Sequence, residues 1–342
     1  MSVRKYITEF ALGMSLSNVY LLQQDQLQML KNFEEFQSAP SHIYIIARQP
    51  KISIEPESFY LDNKFYSLKF NIQKQNSYTH QIFKSPISSE IVNLQLDCPY
   101  PHTEYIFKEK EGNIVAHGKA ALLLLQNIST LKEINLYKQK FQKINDLQNL
   151  LSFEVLYVGQ SYGEDGSRNA LDRLQDHQTL QKIYFESNKK NPDKDIWIVL
   201  CSFEKSVITT IDPTQNNYGV SIEESDRHLF SVCNKVMNDD AGITEKQSIN
   251  FTEAALIRYF QPEYNEKFKN NFPDYSHSSY SECYDLDINS VIIELSTDLE
   301  RMQFKLHSLK IPPDFNHLIH FSLHSKDERK SMFELANLIN NE

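Results

Sequence analysis

The sequence predicts an α+β protein: a small central sheet flanked by helices, with a β-rich N-terminal domain ahead of it. Three observations carry this. The 342 residues include 21 Phe and 18 Tyr but only 8 Gly and 12 Pro, and 40% are hydrophobic, enough to bury real cores and rich in residues that suit a pleated, half-buried surface. Runs of aromatic and β-branched residues cluster between residues 41 and 129. Further along, such runs alternate with stretches whose apolar residues recur every three or four positions, the helical period.

The chain divides accordingly into an N-terminal helical segment (1–40), a β-rich domain (41–129), a connecting helix (130–150), a central block (151–270) and a strand and helix extension (271–342). In the first segment the Leu- and Gln-rich run from Tyr20 to Phe36 predicts a helix that stops before the Ser-Ala-Pro-Ser turn at 38–41. Strands are expected at His42–Ala47, Phe65–Ile72, Ile91–Leu96, Glu104–Lys108 and Asn113–Ala116, a set that suits a sandwich. Leu131, Ile134, Tyr137, Phe141, Ile144, Leu147 and Leu151 then predict one helix over Thr130–Leu151.

In the central block, Val155–Gln160 predicts a strand, the polar loop 161–167 follows, and a helix begins near Asn169 on which Arg173 and His177 share a face. A second strand, Ile196–Ser202, is expected to pair with Val155–Gly159. A further helix opens at Thr252 as N-cap, with Glu253 at its first position, and stops before Pro262. Residues 270–281 read as a linker, Val291–Leu295 and His317–His324 as strands. Ser325, with Glu328 three residues on, announces a closing helix through a capping box.

Several function classes are excluded. No run is apolar for long enough to cross a membrane, since Phe10–Leu22 is broken by Ser15, Ser17 and Asn18. Arg4 and Lys5 do not start a signal peptide, because Glu9 interrupts the apolar stretch after them, and a cytoplasmic location is expected. Cys98, Cys201, Cys233 and Cys283 form no CxxC pair and are expected to be ordinary reduced thiols. The net charge of −10 argues against coating nucleic acid by charge alone, so any such contact is local. His317, His320 and His324 are too sparse on a strand to hold a metal.

Glu253 is the most telling residue. Leu256, Ile257 and Phe260 follow it by three, four and seven positions, so its carboxylate lies on the apolar face and needs a partner, a cap or a cation. Two readings stand, a first-turn Glu in the field of the helix dipole and a metal ligand. Others are equally open: Tyr157 as strand packing, Arg173 as the partner of Asp172, Asp176 or Glu186, His177 as a half-buried structural residue, Asn265 as a helix cap.

Taken in order, Tyr157-Val158-Gly159, then Arg173-Leu174 with His177, then Glu253 through Pro262, Tyr264 and Asn265, resemble the motifs of the GIY-YIG endonuclease family, over roughly a third of the chain. The resemblance implies a GIY-YIG-like nuclease domain over 151–270 and metal-dependent phosphodiester hydrolysis, with DNA as the partner. Tyr157 would help deprotonate the attacking water, Arg173 steady the phosphate, His177 lie on the catalytic helix and Asn265 order the site. Glu253 would hold Mg²⁺ or Mn²⁺, a hard cation that neutralises charge on the reacting phosphate. The β-rich domain would choose the target or a protein partner.

The family's first motif belongs on a strand shortly before Tyr157, where the chain instead reads Leu147-Gln148-Asn149-Leu150-Leu151. The partner strand is then expected either at Ala120–Leu125, across the connecting helix, or in a rearranged sheet. Its missing Gly-Ile-Tyr favours the alternative, a catalytically inactive GIY-YIG-like binding module for a protein or nucleotide. Residues 151–270 are also acidic, with 13 Lys and Arg against 19 Asp and Glu, leaving Arg168, Lys182, Lys189, Lys190 and Lys194 as a local basic strip.

Overall fold

A continuous apolar run can form a strand only where both sheet faces are covered, and four such runs meet side by side in this protein. In the computed structural model the described residues are 3–30, 32–38, 41–86, 94–134, 138–162, 170–175, 178–212, 215–237, 245–274, 282–299 and 302–334. In chain order they form β1 (Thr8–Leu22), α1 (Leu27–Leu30), α2 (Glu34–Ser38), β2 (Ile43–Pro50), β3 (Ile52–Leu61), β4 (Phe65–Lys74), β5 (Ser77–Pro86), β6 (Gln95–Asp97), β7 (Glu104–Lys108) and β8 (Ile114–Lys119). Next come α3 (Ala120–Ile134), α4 (Lys138–Leu150), β9 (Phe153–Gln160), α5 (Ala170–Gln175), α6 (Gln178–Lys190), β10 (Lys194–Ile211) and α7 (Ile222–Met237). The chain closes with α8 (Glu245–Phe260), α9 (Glu282–Asp285), β11 (Ser290–Ser296), β12 (Leu306–His307) and β13 (Asn316–Ser322).

The fold is α+β, built on a seven-stranded sheet of order β12-β9-β2-β10-β1-β11-β13, larger than the small sheet expected. Two further sheets, β3-β4-β5 and β6-β7-β8, have three strands each, and Phe107 joins them through contacts with Phe59 and Tyr66. In the large sheet the strand residues alternate between two cores. Ile45, Ala47, Trp197, Val199 and Val155 face α8, whereas Tyr44, Ile46, Ile198, Leu200 and Leu156 face α5 and α6. Burying each large aliphatic side chain is worth about 1.5–3 kcal/mol. Among the described residues no helix is long and apolar enough to cross a membrane.

Six expectations need correction. Tyr20–Leu22 end β1 and do not start a helix; β1 pairs with β10 from Thr8 to Leu22, and that ladder overrides the weak helical preference of the run. Beyond it only the short α1 and α2 form. Val155–Gly159 and Ile196–Ser202 share a sheet without touching, because β2 lies between them and is antiparallel to both. Ala120–Leu125 is no strand. Its Ala and Leu residues are the strongest helix formers and open α3, so the helix expected over Thr130–Leu151 becomes two, α3 and α4. Thr252 is not an N-cap: α8 begins at Glu245, and the buried Thr252 hydroxyl donates to Ser248 O at 2.6 Å inside the helix. Ser325 and Glu328 do make their reciprocal pair, at 3.3 and 3.0 Å, but they close a turn within the described residues, not a helix.

Candidate functional site

The site grows from the pairing of β2 with β9. Tyr44 stands opposite Gly159 and Ile46 opposite Tyr157, with a register shift between Ile46 and Ala47 that leaves Leu156 as an extra residue. Strict alternation from Val155 would send Tyr157 toward α8. The bulge re-aims it, as bulges do, onto the Tyr44 face. There the two rings lie 6.2 Å apart, centroid to centroid, with their hydroxyls hydrogen-bonded. Gly159 makes the room, since a Cβ on it would lie 2.5 Å from the Tyr44 hydroxyl and 2.7 Å from Cε1 of Tyr157.

Arg173 projects from the short α5, exposed, and its guanidinium donates to the Tyr44 hydroxyl. Glu253 sits in the middle of α8, one helical turn from the buried Leu256 and Ile257. Its carboxylate accepts a hydrogen bond from the main-chain N–H of Gln160, the last residue of β9. A mid-helix position removes the first-turn dipole reading. Tyr44, Tyr157, Arg173 and Glu253 thus come from four elements to the end of β9, and each feels the charge of others in the group.

This end of β9 is a sheet margin, because β12 pairs only with Phe153 and Glu154. Asn265 closes it. Its side chain accepts from Val158 N at 2.9 Å and donates to Val158 O at 2.8 Å, standing in for a neighbouring strand, while Tyr264 N donates to Leu156 O at 3.0 Å. The Asn265 side chain thus braces the backbone of β9 and does not cap a helix. His177, Arg168, Asp172 and Asp176 either lie outside the described residues or have undescribed side chains; Glu186 is engaged elsewhere, by Lys190 and Tyr264.

The electrostatics divide the roles. Burial pushes Glu253 up to about 7, against the opposing pull of Arg173, Gln160 N–H and Lys267. Burial also raises both tyrosines, and the neighbouring carboxylate adds to the effect on Tyr157. Near neutral pH, therefore, Glu253 is the member of the group that changes charge, while the tyrosines keep their protons. Outside lies a cleft of about 1230 Å³, whose walls include Tyr157, Glu253, Lys182, Glu186, Tyr264 and Lys267.

For a divalent cation of the hard kind, the four converging side chains offer one anionic ligand, the Glu253 carboxylate. Among the described residues no cluster of three His, Cys, Asp or Glu could hold a metal, so an ion here would take one protein oxygen, from Glu253, and complete its shell from water and substrate, as Mg²⁺ does. His317 and His320 on β13, and His324 just beyond it, have separate partners: His317 bonds Tyr259, His320 bonds Ser290 and His324 bonds Ile288 O. The expected basic strip is dispersed. Lys182 lines the cleft, Lys190 pairs with Glu186, and Lys194 lines a different pocket with Tyr184 and Asp195.

Tyr44 is the site residue that sequence reasoning missed. Its signal was the Ile43-Tyr44-Ile45 run, read as a strand but placed in another domain. In comparisons with known proteins, no family model, no curated protein and no solved structure matches the chain.

Proposed function

We propose that the protein is a metal-dependent phosphodiesterase of GIY-YIG type that cuts nucleic acid, with DNA as its substrate. The observation that carries this is the convergence of Tyr44, Tyr157, Arg173 and Glu253 on the open end of β9. On this reading Ile43-Tyr44 takes the place of the first motif, and the segment from β3 to α4 is an insertion between the two motif strands. Mg²⁺ or Mn²⁺ at Glu253 would neutralise charge on the phosphate and on the leaving oxygen.

The chain's own residues do the rest. Tyr157 keeps its own proton and orients the attacking water by accepting a hydrogen bond from it, the hydrogen bond from Tyr44 holds the phenolic oxygen in place, and the water's proton leaves to solvent. Arg173 tethers Tyr44 in the resting site and is exposed enough to swing its planar fork onto a phosphate. Asn265 keeps β9 in register, so that Tyr157 and Gln160 N–H stay aimed at the site.

The test is nicking of supercoiled DNA with Mg²⁺ or Mn²⁺, where Tyr157→Phe, Arg173→Ala and Glu253→Gln should each lower the rate at least about 100-fold, the effect expected on losing one transition-state contact. Thermal unfolding supplies an independent arm: ions at ten times their dissociation constant should stabilise the wild type by about 1.4 kcal/mol and leave Glu253→Gln unmoved. A second reading, a binding module that has lost catalysis, is favoured by His42 where the first motif would carry glycine. Nucleic-acid binding without cleavage under either metal would establish that reading instead.

A further inference from the structure

The cleft outside Glu253 is unlike a surface built to grip a duplex. A duplex presents two closely spaced phosphate backbones, and proteins that hold it neutralise many of them at once. Here Glu186, Glu263 and Glu266 line the cleft beside Glu253, against Lys182 and Lys267. A nearby cation is already engaged, since Lys190 holds Glu186 at 2.9 Å. The cleft does offer an aromatic ring. Tyr264 is partly exposed in its wall, its hydroxyl fixed to Glu186 at 3.0 Å and the Lys182 ammonium over its ring, 5.8 Å from the centroid. A ring held at its polar end, covered by a long, flexible Lys side chain that can move to a phosphate, has the makings of a stacking platform for an unpaired base.

We infer, resting on the reading above, that the cleft takes a single strand, contacts two or three of its phosphates through Lys182, Lys267 and Arg173, and stacks one base on Tyr264. The acidic rim works against a second backbone, so the substrate is a single-stranded segment, or a strand freed from its partner near the cut. Specificity then comes from strandedness rather than from charge. The amide pair Gln160 and Asn250, 3.2 Å apart in the same wall, presents polar groups toward base edges rather than phosphates.

The experiment measures fluorescence anisotropy of a labelled 12-nucleotide strand and of its blunt duplex on Glu253→Gln protein, with Mg²⁺, from low to moderate salt. The single strand should bind at least tenfold tighter, with a log–log salt slope of about −1.4 to −2.1, the value for two or three phosphates at roughly 0.7 each. Lys182→Ala and Lys267→Ala should each flatten the slope by about 0.7. Tyr264→Leu should weaken the single strand by at least fivefold at unchanged slope, and Tyr264→Phe should restore it, which separates stacking from a merely structural role. Equal or tighter duplex binding, or a slope steeper than about −4, overturns the inference while leaving the proposed phosphodiesterase standing. Binding of neither form overturns both.

Discussion

Tyr44 lies directly across the strand pair from Gly159, and the space left by the absent side chain is where its ring and that of Tyr157 come together. The Gly in Tyr157-Val158-Gly159 is there for room. No left-handed backbone demands it, since Gly159 is not among the positive-φ residues.

Gly159→Ala should therefore act through Tyr44. The new methyl forces at least one ring off its position, an overpacking cost of about 1–3 kcal/mol. Pairing it with Tyr44→Ala removes the clash, so the double variant should be more stable than the sum of the single effects by roughly 1 kcal/mol or more. Urea denaturation of the four proteins measures this. Simple additivity would mean that the glycine matters for some other reason.

Much of this site was legible because its parts are local patterns. Strand β9, the inward face of Glu253 and the Pro262-to-Asn265 stop were each readable from spacing over a few residues. Tyr44 was not, because its own strand, β2, is separated from β9 along the chain by two small sheets and two helices, and a strand's neighbour is fixed by tertiary pairing that no local pattern records. The bulge at Leu156 was equally hidden: alternation read across it sends Tyr157 to the wrong face. The start of α8 was misplaced because Thr252, a good N-cap type, turns out to bond back within the helix to Ser248 O. β1 was misread since its partner, β10, lies in the other half of the chain.

Stability should depend on pH through Glu253 with a definite sign. Its folded pKa of about 7 lies above the ordinary value of 4.5, so the folded state binds the proton more tightly than the unfolded chain does. Its contribution is fully present below about pH 4.5, declines as pH rises toward 7 and is lost above that. Glu253→Gln abolishes this dependence. In metal-free buffer the variant should match the wild type near pH 4 and melt roughly 2–4 °C higher at pH 8. A variant that is less stable at pH 8 would mean that the carboxylate is paired in the resting fold.

Asn265 should show its importance at Val158. Asn265→Ala removes both the acceptor for Val158 N and the donor to Val158 O, leaving buried backbone groups unpaired at about 1–3 kcal/mol each. Amide hydrogen exchange at Val158 should accelerate by at least an order of magnitude while α6 stays protected. If only the end of α8 exchanged faster, Asn265 would be a helix cap after all.

The strongest single effect on folding is expected far from the site, where Arg329, just after the turn at 326–328, joins the segment beyond β13 to the first strand. Glu9 is fully buried on β1; it accepts from Arg329 Nε at 3.2 Å, from Lys5 N at 3.0 Å and from Asn289 Nδ2 at 3.1 Å. Arg329 also reaches Asp287 at 2.8 Å. Burial alone would raise Asp287, but hydrogen bonds from Lys5 and Tyr6 and the charge of Arg329 more than offset it and hold the carboxyl near 2. That depressed pKa stabilises the fold above about pH 4, a contribution lost as pH falls through 2. Arg329→Met leaves Glu9 as an uncompensated buried charge and takes one cation from Asp287, so it should cost about 3–5 kcal/mol at pH 7. Acid unfolding should also begin at higher pH, because the Asp287 carboxyl, with one cation fewer beside it, then protonates more readily. Adding Glu9→Gln should return part of the loss, since the partner stranded by the first change is now neutral. Guanidinium denaturation at pH 7 and pH 3 tests all three statements; a loss below about 1 kcal/mol for Arg329→Met, the range of an exposed ion pair, would show that the clasp opens to water in solution.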